Sequence, residues 1–300
     1  MEKLQRIVSW VRELSSLQQA YLVAALSLST SYLFNTLAYL NVLPVLGGIH
    51  WSGVTKNSTY LIPGFMAITA TLFFEGRAGL KRIFRPYLKF RFNLFYWVFA
   101  ALILIPILYM ALLLDDLFYF RGFNAHSMAL PTWETVRFYA PQFLRVAVCD
   151  ELFWIGFIYP RMVQAGYSPF KASLAIGLLW GAAYVPFIFT QFFIAAGLNM
   201  PNLLLGWFSL TPLYVWLYYR TGSALVVLLF NVCMQFLFTA IPVLPHATGD
   251  NQATAMANLV CLAFGFLLWR CFPNTRQAAL PRIETFASNR RSLKVMEAAG

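Results

Sequence analysis

The sequence predicts an all-α, polytopic membrane protein with about eight transmembrane helices, and three observations support this fold class. Of the 300 residues, 60% are hydrophobic and only 11% are charged, which is too little polar surface for an ordinary soluble domain. Apolar stretches of nearly membrane-spanning length recur along the chain. Basic residues concentrate in alternate connecting segments, as they do in polytopic membrane proteins.

The predicted spans are apolar stretches that approach the roughly 20 residues a helix needs to cross a bilayer. They are Ala20 to Leu43, Tyr60 to Phe74, Leu94 to Leu114, Phe138 to Met162, Ala172 to Phe189, Leu203 to Tyr219, Ala224 to Val243 and Ala255 to Phe272. The second stretch is the shortest. Because the number is even, both termini fall on the same side of the membrane.

The distribution of basic residues predicts which side this is. With an inner N-terminus, the inner segments hold 18 of the 22 Lys and Arg residues. The outer segments hold only Lys56, Arg121 and Arg137, and Arg145 lies within a span. This asymmetry predicts cytoplasmic N- and C-termini, and we expect the plasma (inner) membrane as the location.

Three regions differ in composition. Residues 1–18 carry apolar side chains at helical spacing with basic residues off that stripe, which predicts an amphipathic helix at the membrane interface. Residues 19–272 form the predicted transmembrane domain, and residues 273–300 form a basic, polar tail that we expect to be disordered and cytoplasmic. We interpret the basic run from Glu75 to Arg91 as a cytoplasmic loop that touches anionic lipid head groups.

The composition also limits the partners. A net charge of +11 is compatible with nucleic-acid binding only if the basic residues gather on one soluble face, and here they follow membrane topology instead. We therefore expect membrane lipid, and no nucleic acid, as a partner. The outer loop from Asp115 to Arg137 contains His126 among scattered carboxylates, but without the ligand spacing of a metal site, so we predict no metal.

Two adjacent carboxyl groups, Asp150 and Glu151, lie within the fourth predicted span. Ionisable residues inside a membrane are costly and commonly mark function. Tyr184 in the fifth span and Asn231 in the seventh lie at a similar depth, about 16 to 20 Å from the inner boundary at roughly 1.5 Å per residue. Gln235 follows Asn231 by one helical turn and shares its face. The sequence thus predicts a buried polar layer, which is either an interhelical hydrogen-bonded clamp or a functional site.

Three segments in this region resemble motifs of the CAAX-protease and bacteriocin-processing (CPBP, or Abi) family of intramembrane proteases. Asp150 to Arg161 (DELFWIGFIYPR) resembles the first motif, Glu-Glu-x-x-x-Arg followed by Gly-Phe and Pro-Arg. Leu179 to Pro186, which includes Trp180 and Tyr184, resembles the second motif, Phe-x-x-x-His. Tyr218 to Ser223 resembles the approach to the third motif, His-x-x-x-Asn or Asp, which would fall on Asn231 and Gln235. The resemblance implies a CPBP-like core over residues 138–236.

The chain departs from the family pattern at most of the polar positions. Asp150 stands where the family has its first Glu, and Ile155 stands where it has Arg. Tyr184 and Asn231 occupy the positions of its two His, and Gln235 that of its Asn or Asp. The resemblance implies Asp150 and Glu151 as family-equivalent catalytic residues and Tyr184, Asn231, Gln235 and Trp180 as lining of a substrate or partner cavity. Tyr and Asn are poor substitutes for imidazole ligands, so we expect no zinc and no other cofactor.

Three functions remain open at this point. Our first expectation is a catalytically degenerate member that binds a membrane protein, a lipidated peptide or another hydrophobic ligand in the former active-site cavity. The first alternative is an active CAAX-type endopeptidase in which the carboxyl pair has taken over the chemistry. The second is a transporter or proton-relay protein that uses the same acids.

Overall fold

The structure is a computed structural model that describes residues 2–40, 45–46, 49–50, 59–119, 132–189 and 197–272. Within these ranges the chain is a bundle of helices, which confirms the predicted helical membrane fold. Among the described residues, two short strands, Val45–Leu46 (β1) and Ile49–His50 (β2), pair in an antiparallel arrangement. His126 and the tail at residues 273–300 lie outside the described residues.

The described part of the chain contains twelve α-helices. In chain order they are α1 (Glu2–Arg12), α2 (Ser16–Tyr39), α3 (Ile62–Phe84), α4 (Leu94–Leu102), α5 (Leu104–Tyr119), α6 (Trp133–Glu151), α7 (Tyr159–Gln164), α8 (Pro169–Phe189), α9 (Met200–Thr221), α10 (Ala224–Ala240), α11 (Pro245–Thr248) and α12 (Gln252–Cys271). Single 3₁₀ turns cover Thr59–Leu61 and Arg85–Leu88, and a π-helix covers Leu152–Ile158 between α6 and α7.

Each of the eight predicted spans overlaps a helical segment of the described residues, but these segments are not equally apolar. Four segments in the described part of the chain are long and apolar enough to cross a membrane, namely Leu94–Tyr119, Pro169–Phe189, Ala224–Thr248 and Gln252–Cys271. The other four helical segments carry more polar side chains, including the adjacent acids of α6. The protein is therefore an integral membrane protein, while the number of eight spans remains a prediction.

The basic run after the second predicted span is helical, and our interpretation of it as a loop is wrong up to Phe84. Helix α3 breaks at Gly76, whose φ of 66° lies in the left-handed region that glycine tolerates. A second helical stretch then continues to Phe84 and ends in the 3₁₀ turn Arg85–Leu88. The break falls at the boundary between the apolar and basic parts of the sequence.

Helix α9 is the centre of the bundle, because its residues from Ser209 to Tyr219 are all buried. It packs closely against α8 through two glycines one turn apart. A Cβ atom on Gly177 would lie 2.8 Å from the Cα of Phe208, and one on Gly181 would lie 3.2 Å from the Cα of Leu204. Small residues at this spacing let two membrane helices approach closely. The approach brings Trp180 of α8 against the core of the bundle, where it is fully buried.

Candidate functional site

The two acids lie at the end of α6, where the backbone changes from α-helix to π-helix. Helix α6 begins at an N-cap, because the Thr132 side chain accepts a hydrogen bond from the backbone N–H of Thr135. It ends at Glu151, and Leu152–Ile158 continue as a π-helix, a rare element that occurs often at functional sites. Asp150 and Glu151 are only 4% and 1% exposed, so both carboxyl groups are enclosed by protein.

Asp150 faces α8. The Tyr184 hydroxyl donates a hydrogen bond of 3.1 Å to its Oδ2 atom, and the indole N–H of Trp180 lies beside the same carboxyl without direct hydrogen-bond geometry. The Trp180 ring stacks on Trp207 of α9 at 4.5 Å between centroids, and Tyr184 lies 4.7 Å from that same ring. The rings of Trp180, Trp207 and Tyr184 therefore form an aromatic cluster on the α8 and α9 side of Asp150.

Glu151 faces α10. Neither of its carboxyl oxygens has a hydrogen-bond partner among the described residues, although the Asn231 amide lies beside it. Asn231 is held in turn by Gln235, whose Nε2 donates to the Asn231 Oδ1 at 3.0 Å and to the Phe143 carbonyl at 3.4 Å. The structure thus brings together the polar residues of α6, α8 and α10 in two pairs, Asp150 with Tyr184 and Glu151 with Asn231.

The two carboxyl groups point toward different helices and do not converge on one point. Adjacent residues of a helix diverge by about 100°, and this divergence is what separates them here. Tyr214 of α9 is fully buried, and its ring centroid lies 5.3 Å from that of Trp180. Its hydroxyl donates to the Met234 Sδ at 3.4 Å. Tyr214 lies one helical turn before Tyr218 of the third motif, and this spacing could have identified it in the sequence.

A buried ion network, which we call the arginine clamp, holds the π-helix. It consists of Glu75, Arg82 and Arg161. Arg82 donates two hydrogen bonds to the Glu75 carboxylate at 2.7 and 2.8 Å, and Arg161 donates a third at 2.6 Å. The same guanidinium groups donate to two successive π-helix carbonyls, Arg82 to Gly156 at 3.0 Å and Arg161 to Phe157 at 3.1 Å.

Arg82 and Arg161 are among the 18 basic residues of the predicted inner segments, and nothing in the sequence indicated their burial. Arg161 has no exposed surface and Arg82 is 9% exposed. Ile155 stands where the first motif has Arg. Arg82 lies beside this part of the motif, because it donates a hydrogen bond to the carbonyl of the next residue, Gly156. Pairing between residues this far apart in the chain leaves no local pattern in the sequence.

A largely apolar cavity lies on the other side of Tyr184. Its volume is about 50 Å³ for the centres of water-sized molecules, part of it is open to the outside, and twelve residues of α8 to α12 and their connections line it. The lining residues are Tyr184, Leu198, Asn202, Leu203, Gly206, Trp207, Leu210, Met234, Phe238, Leu244, Thr254 and Asn258. Of the predicted cavity residues, only Tyr184 lines it, whereas Trp180, Asn231 and Gln235 lie in the adjacent layer.

The polar layer does not fit a zinc ion. Within the described residues, no group of three or more His, Cys, Asp or Glu side chains could hold a metal. At the two positions where the family resemblance places imidazoles, the chain presents a phenol bonded to Asp150 and an amide bonded to Gln235. Zinc in proteins is bound by thiolate, imidazole and carboxylate ligands, so these side chains are unsuitable.

Comparison with known protein families agrees with the motif resemblance. Residues 132–237 match a family described as Rce1-like, type II CAAX prenyl endopeptidase Rce1-like. This range begins at the N-cap of α6 and ends in α10, so it contains both carboxyl groups and both of their partners. No curated protein matches the chain. The chain is a CAAX-protease-like membrane protein whose residues 132–237 match the type II CAAX prenyl endopeptidase Rce1-like family.

Proposed function

We propose that this protein is a catalytically degenerate CAAX-protease-like protein that binds a lipidated peptide or another hydrophobic membrane ligand without hydrolysing it. The proposal rests on one observation, that Tyr184 contacts both Asp150 and the apolar cavity. Its hydroxyl binds Asp150 at 3.1 Å, and its side chain also lines the apolar cavity. The proposed ligand site thus lies next to a carboxyl group that already accepts a hydrogen bond from a phenol.

The lining of the cavity suits a hydrocarbon group. Met234, Trp207 and Phe238 supply soft and aromatic surface, and methionine adapts well to irregular ligands. Asn202 and Asn258 are bonded to neighbouring backbone carbonyls, and these polar groups therefore need no partner from a ligand.

The chemistry of the layer supports binding rather than hydrolysis. Peptide hydrolysis requires a base or a metal that makes water nucleophilic near neutral pH. Two carboxyl groups can share this work when they face one substrate, as in aspartic proteases, but here they face separate helices. Asp150 does not line the cavity, and the hydroxyl of Tyr184, which does line it, is bonded to Asp150.

The proposal is tested by measuring binding and cleavage in the same sample. Purified protein in lipid nanodiscs is titrated with a fluorescent prenylated peptide and with its unprenylated counterpart, and anisotropy reports binding. We expect binding of the prenylated peptide only. Gly206→Leu should weaken binding at least several-fold, because it adds a side chain inside the cavity, where a Cβ atom already meets the Asn258 Oδ1 at 3.4 Å. Leu267→Ala, on the exposed face of α12, is the matched control.

Cleavage is followed by mass spectrometry with wild type and the double variant Asp150→Asn, Glu151→Gln, with and without zinc. We expect no product in any sample. Turnover by the wild type that disappears in the double variant would overturn the degenerate assignment. Equal affinity of wild type and Gly206→Leu would overturn the cavity as the binding site.

An active endopeptidase is the second candidate, and one observation favours it. Glu151 is a buried carboxyl group without a direct hydrogen-bond partner among the described residues, and the Asn231 amide lies beside it. An acceptor next to an amide donor is the arrangement that a general base and an oxyanion-stabilising group require. The cleavage arm of the same experiment decides between the two candidates.

We also propose a plasma (inner) membrane location with both termini in the cytoplasm. The supporting observation is the concentration of basic residues in alternate segments. Membrane lipid, and a membrane protein or lipidated peptide as ligand, are the partners that follow from this placement.

A further inference from the structure

The second stretch of α3 and the turn that follows it form one basic element. It begins after the break at Gly76 and ends with the 3₁₀ turn Arg85–Leu88, and we call residues 77–88 the basic helix. A Cβ atom on Gly79 would lie 2.7 Å from the Thr71 Cγ2 atom, although eight residues of a straight helix span about 12 Å. The chain therefore bends sharply at Gly76.

One side of the basic helix is fixed to the bundle. Gly79, Ile83 and Pro86 on this side are buried. Arg82 is also buried, and its guanidinium group belongs to the arginine clamp and donates to the Gly156 carbonyl of the π-helix. This side of the basic helix therefore serves the interior of the protein.

The outer side of the basic helix combines three cations with two large apolar side chains. Its members follow one another at intervals of three or four residues, which places them on one face of a helix. They are Arg77, Lys81, Phe84, Arg85 and Leu88, and all five are exposed. Phe84 is 43% exposed and Leu88 is 76% exposed. Among the described residues, the three cations of this side form no ion pair.

No acidic residue of the same segment offsets these charges. Residues 77–91 include six Lys and Arg residues and no Asp or Glu. Glu75, the acid that precedes them, already accepts hydrogen bonds from Arg82 and Arg161. The outer side of the basic helix therefore presents positive charge next to apolar surface, which is typical of helices that lie in a membrane interface.

We propose that the outer side of the basic helix binds anionic lipid, with Arg77, Lys81 and Arg85 at the phosphate groups and Phe84 and Leu88 among the acyl chains. The chain is an integral membrane protein, so lipid head groups surround its bundle, and cations next to a bilayer attract the anionic ones. A soluble phosphate would leave the two apolar side chains uncovered, whereas a lipid covers them.

This proposal changes the contact that the sequence indicated for the whole basic run. The contact is now assigned to one face of a helix, and it excludes Arg82, which lies on the opposite side. The lipid site is separate from the apolar cavity, since no residue of the basic helix lines that cavity. The proposal goes beyond the proposed function and does not depend on it.

Native mass spectrometry of the full-length protein tests the proposal. The protein is released from nanodiscs that contain equal amounts of phosphatidylglycerol and phosphatidylcholine, and the retained lipids of each kind are counted. We expect a several-fold excess of phosphatidylglycerol on the wild type and loss of most of this excess in the double variant Lys81→Gln, Arg85→Gln. The matched control is Lys171→Gln, Arg270→Gln, which removes the same charge from exposed positions of α8 and α12 and should keep the excess.

Two further samples separate a lipid from its head group alone. Leu88→Ser changes no charge and should reduce the retained phosphatidylglycerol. An excess of glycerol phosphate, added before release, should leave the retained lipid unchanged. Equal counts for the wild type and Lys81→Gln, Arg85→Gln, or equal losses in the two double variants, would overturn the site. Displacement by glycerol phosphate, or a Leu88→Ser protein that retains as much lipid as the wild type, would overturn the lipid as its ligand.

Discussion

At the scale of single residues, Tyr184 links the buried acid Asp150 of α6 with the apolar cavity. A phenol has one hydrogen to donate, and here it donates to Asp150 at 3.1 Å. Its ring also contacts Trp207 and lines the apolar cavity. This one side chain therefore satisfies a buried acid and extends an apolar surface at the same time.

Removal of this hydroxyl should destabilise the protein. Tyr184→Phe keeps the ring but leaves the Asp150 Oδ2 without its donor, and an unsatisfied buried acceptor costs about 1 to 3 kcal/mol. We expect a lower midpoint of thermal unfolding in detergent, measured by tryptophan fluorescence. Tyr32→Phe is the control, because the Tyr32 hydroxyl donates to the Ala182 carbonyl at an exposed position and its loss should have little effect. Equal midpoints for the two variants would contradict the assigned role.

At the scale of elements, the arginine clamp fixes the π-helix that follows the acid pair. A buried carboxylate that pairs with two guanidinium groups is costly to break, because its removal leaves two buried cations. The clamp joins α3 to the π-helix and α7, and Arg161 also donates to Gln19 of α2 at 3.2 Å. Three separate parts of the chain thus depend on one carboxylate, that of Glu75.

Replacement of Glu75 should therefore be more damaging than replacement of any exposed acid. Glu75→Gln removes the charge that balances Arg82 and Arg161, and we expect a loss of roughly 3 to 5 kcal/mol in unfolding free energy. Glu13→Gln, at an exposed position, should stay within about 0.5 kcal/mol of the wild type. Denaturant titration of both variants in mixed micelles provides the comparison. A Glu75→Gln protein as stable as the Glu13→Gln protein would show that the clamp contributes little.

The close contact between α8 and α9 leads to a second stability prediction at the scale of helices. A methyl group at Gly177 would meet the Phe208 backbone at 2.8 Å, so Gly177→Ala must separate the helices and should cost about 1 to 3 kcal/mol. Gly206→Ala on the facing helix should be tolerated, since its nearest neighbour is a side-chain atom at 3.4 Å. The fraction of each variant that remains monodisperse after heating, measured by size-exclusion chromatography, compares the two. Equal losses would mean that this contact does not limit stability.

The sequence predicted helices and their polar residues better than it predicted contacts between them. Hydrophobic length located helices such as α8 and α12, because bilayer thickness imposes that length. Depth along each span placed Asp150 and Tyr184 at one level, and they are bonded in the structure. The arginine clamp was missed because it depends on the break at Gly76, whose effect on helix direction no periodicity reveals.

At the scale of the whole molecule, the apolar cavity and the acid pair lie in one bundle and share Tyr184. The cavity is lined by residues near the beginnings of α9 and α12, such as Asn202 and Thr254. Asp150 lies at the end of α6 and accepts a hydrogen bond from Tyr184, which also lines the cavity. A ligand in the cavity would therefore contact the residue that binds Asp150.

The orientation of the bundle is testable with a cysteine that the protein already contains. Cys271 is exposed at the end of α12, whereas Ala247 is exposed just before that helix begins. A helix of 20 residues spans about 30 Å, so the two positions lie on opposite sides of the bilayer. With the other three cysteines replaced by alanine, a membrane-impermeant maleimide should label Cys271 only after vesicles with the cytoplasmic face inside are permeabilised. In the same background with Cys271 also replaced, Ala247→Cys should be labelled without permeabilisation. The reverse pattern would place the basic segments outside and would refute the orientation that their distribution predicts.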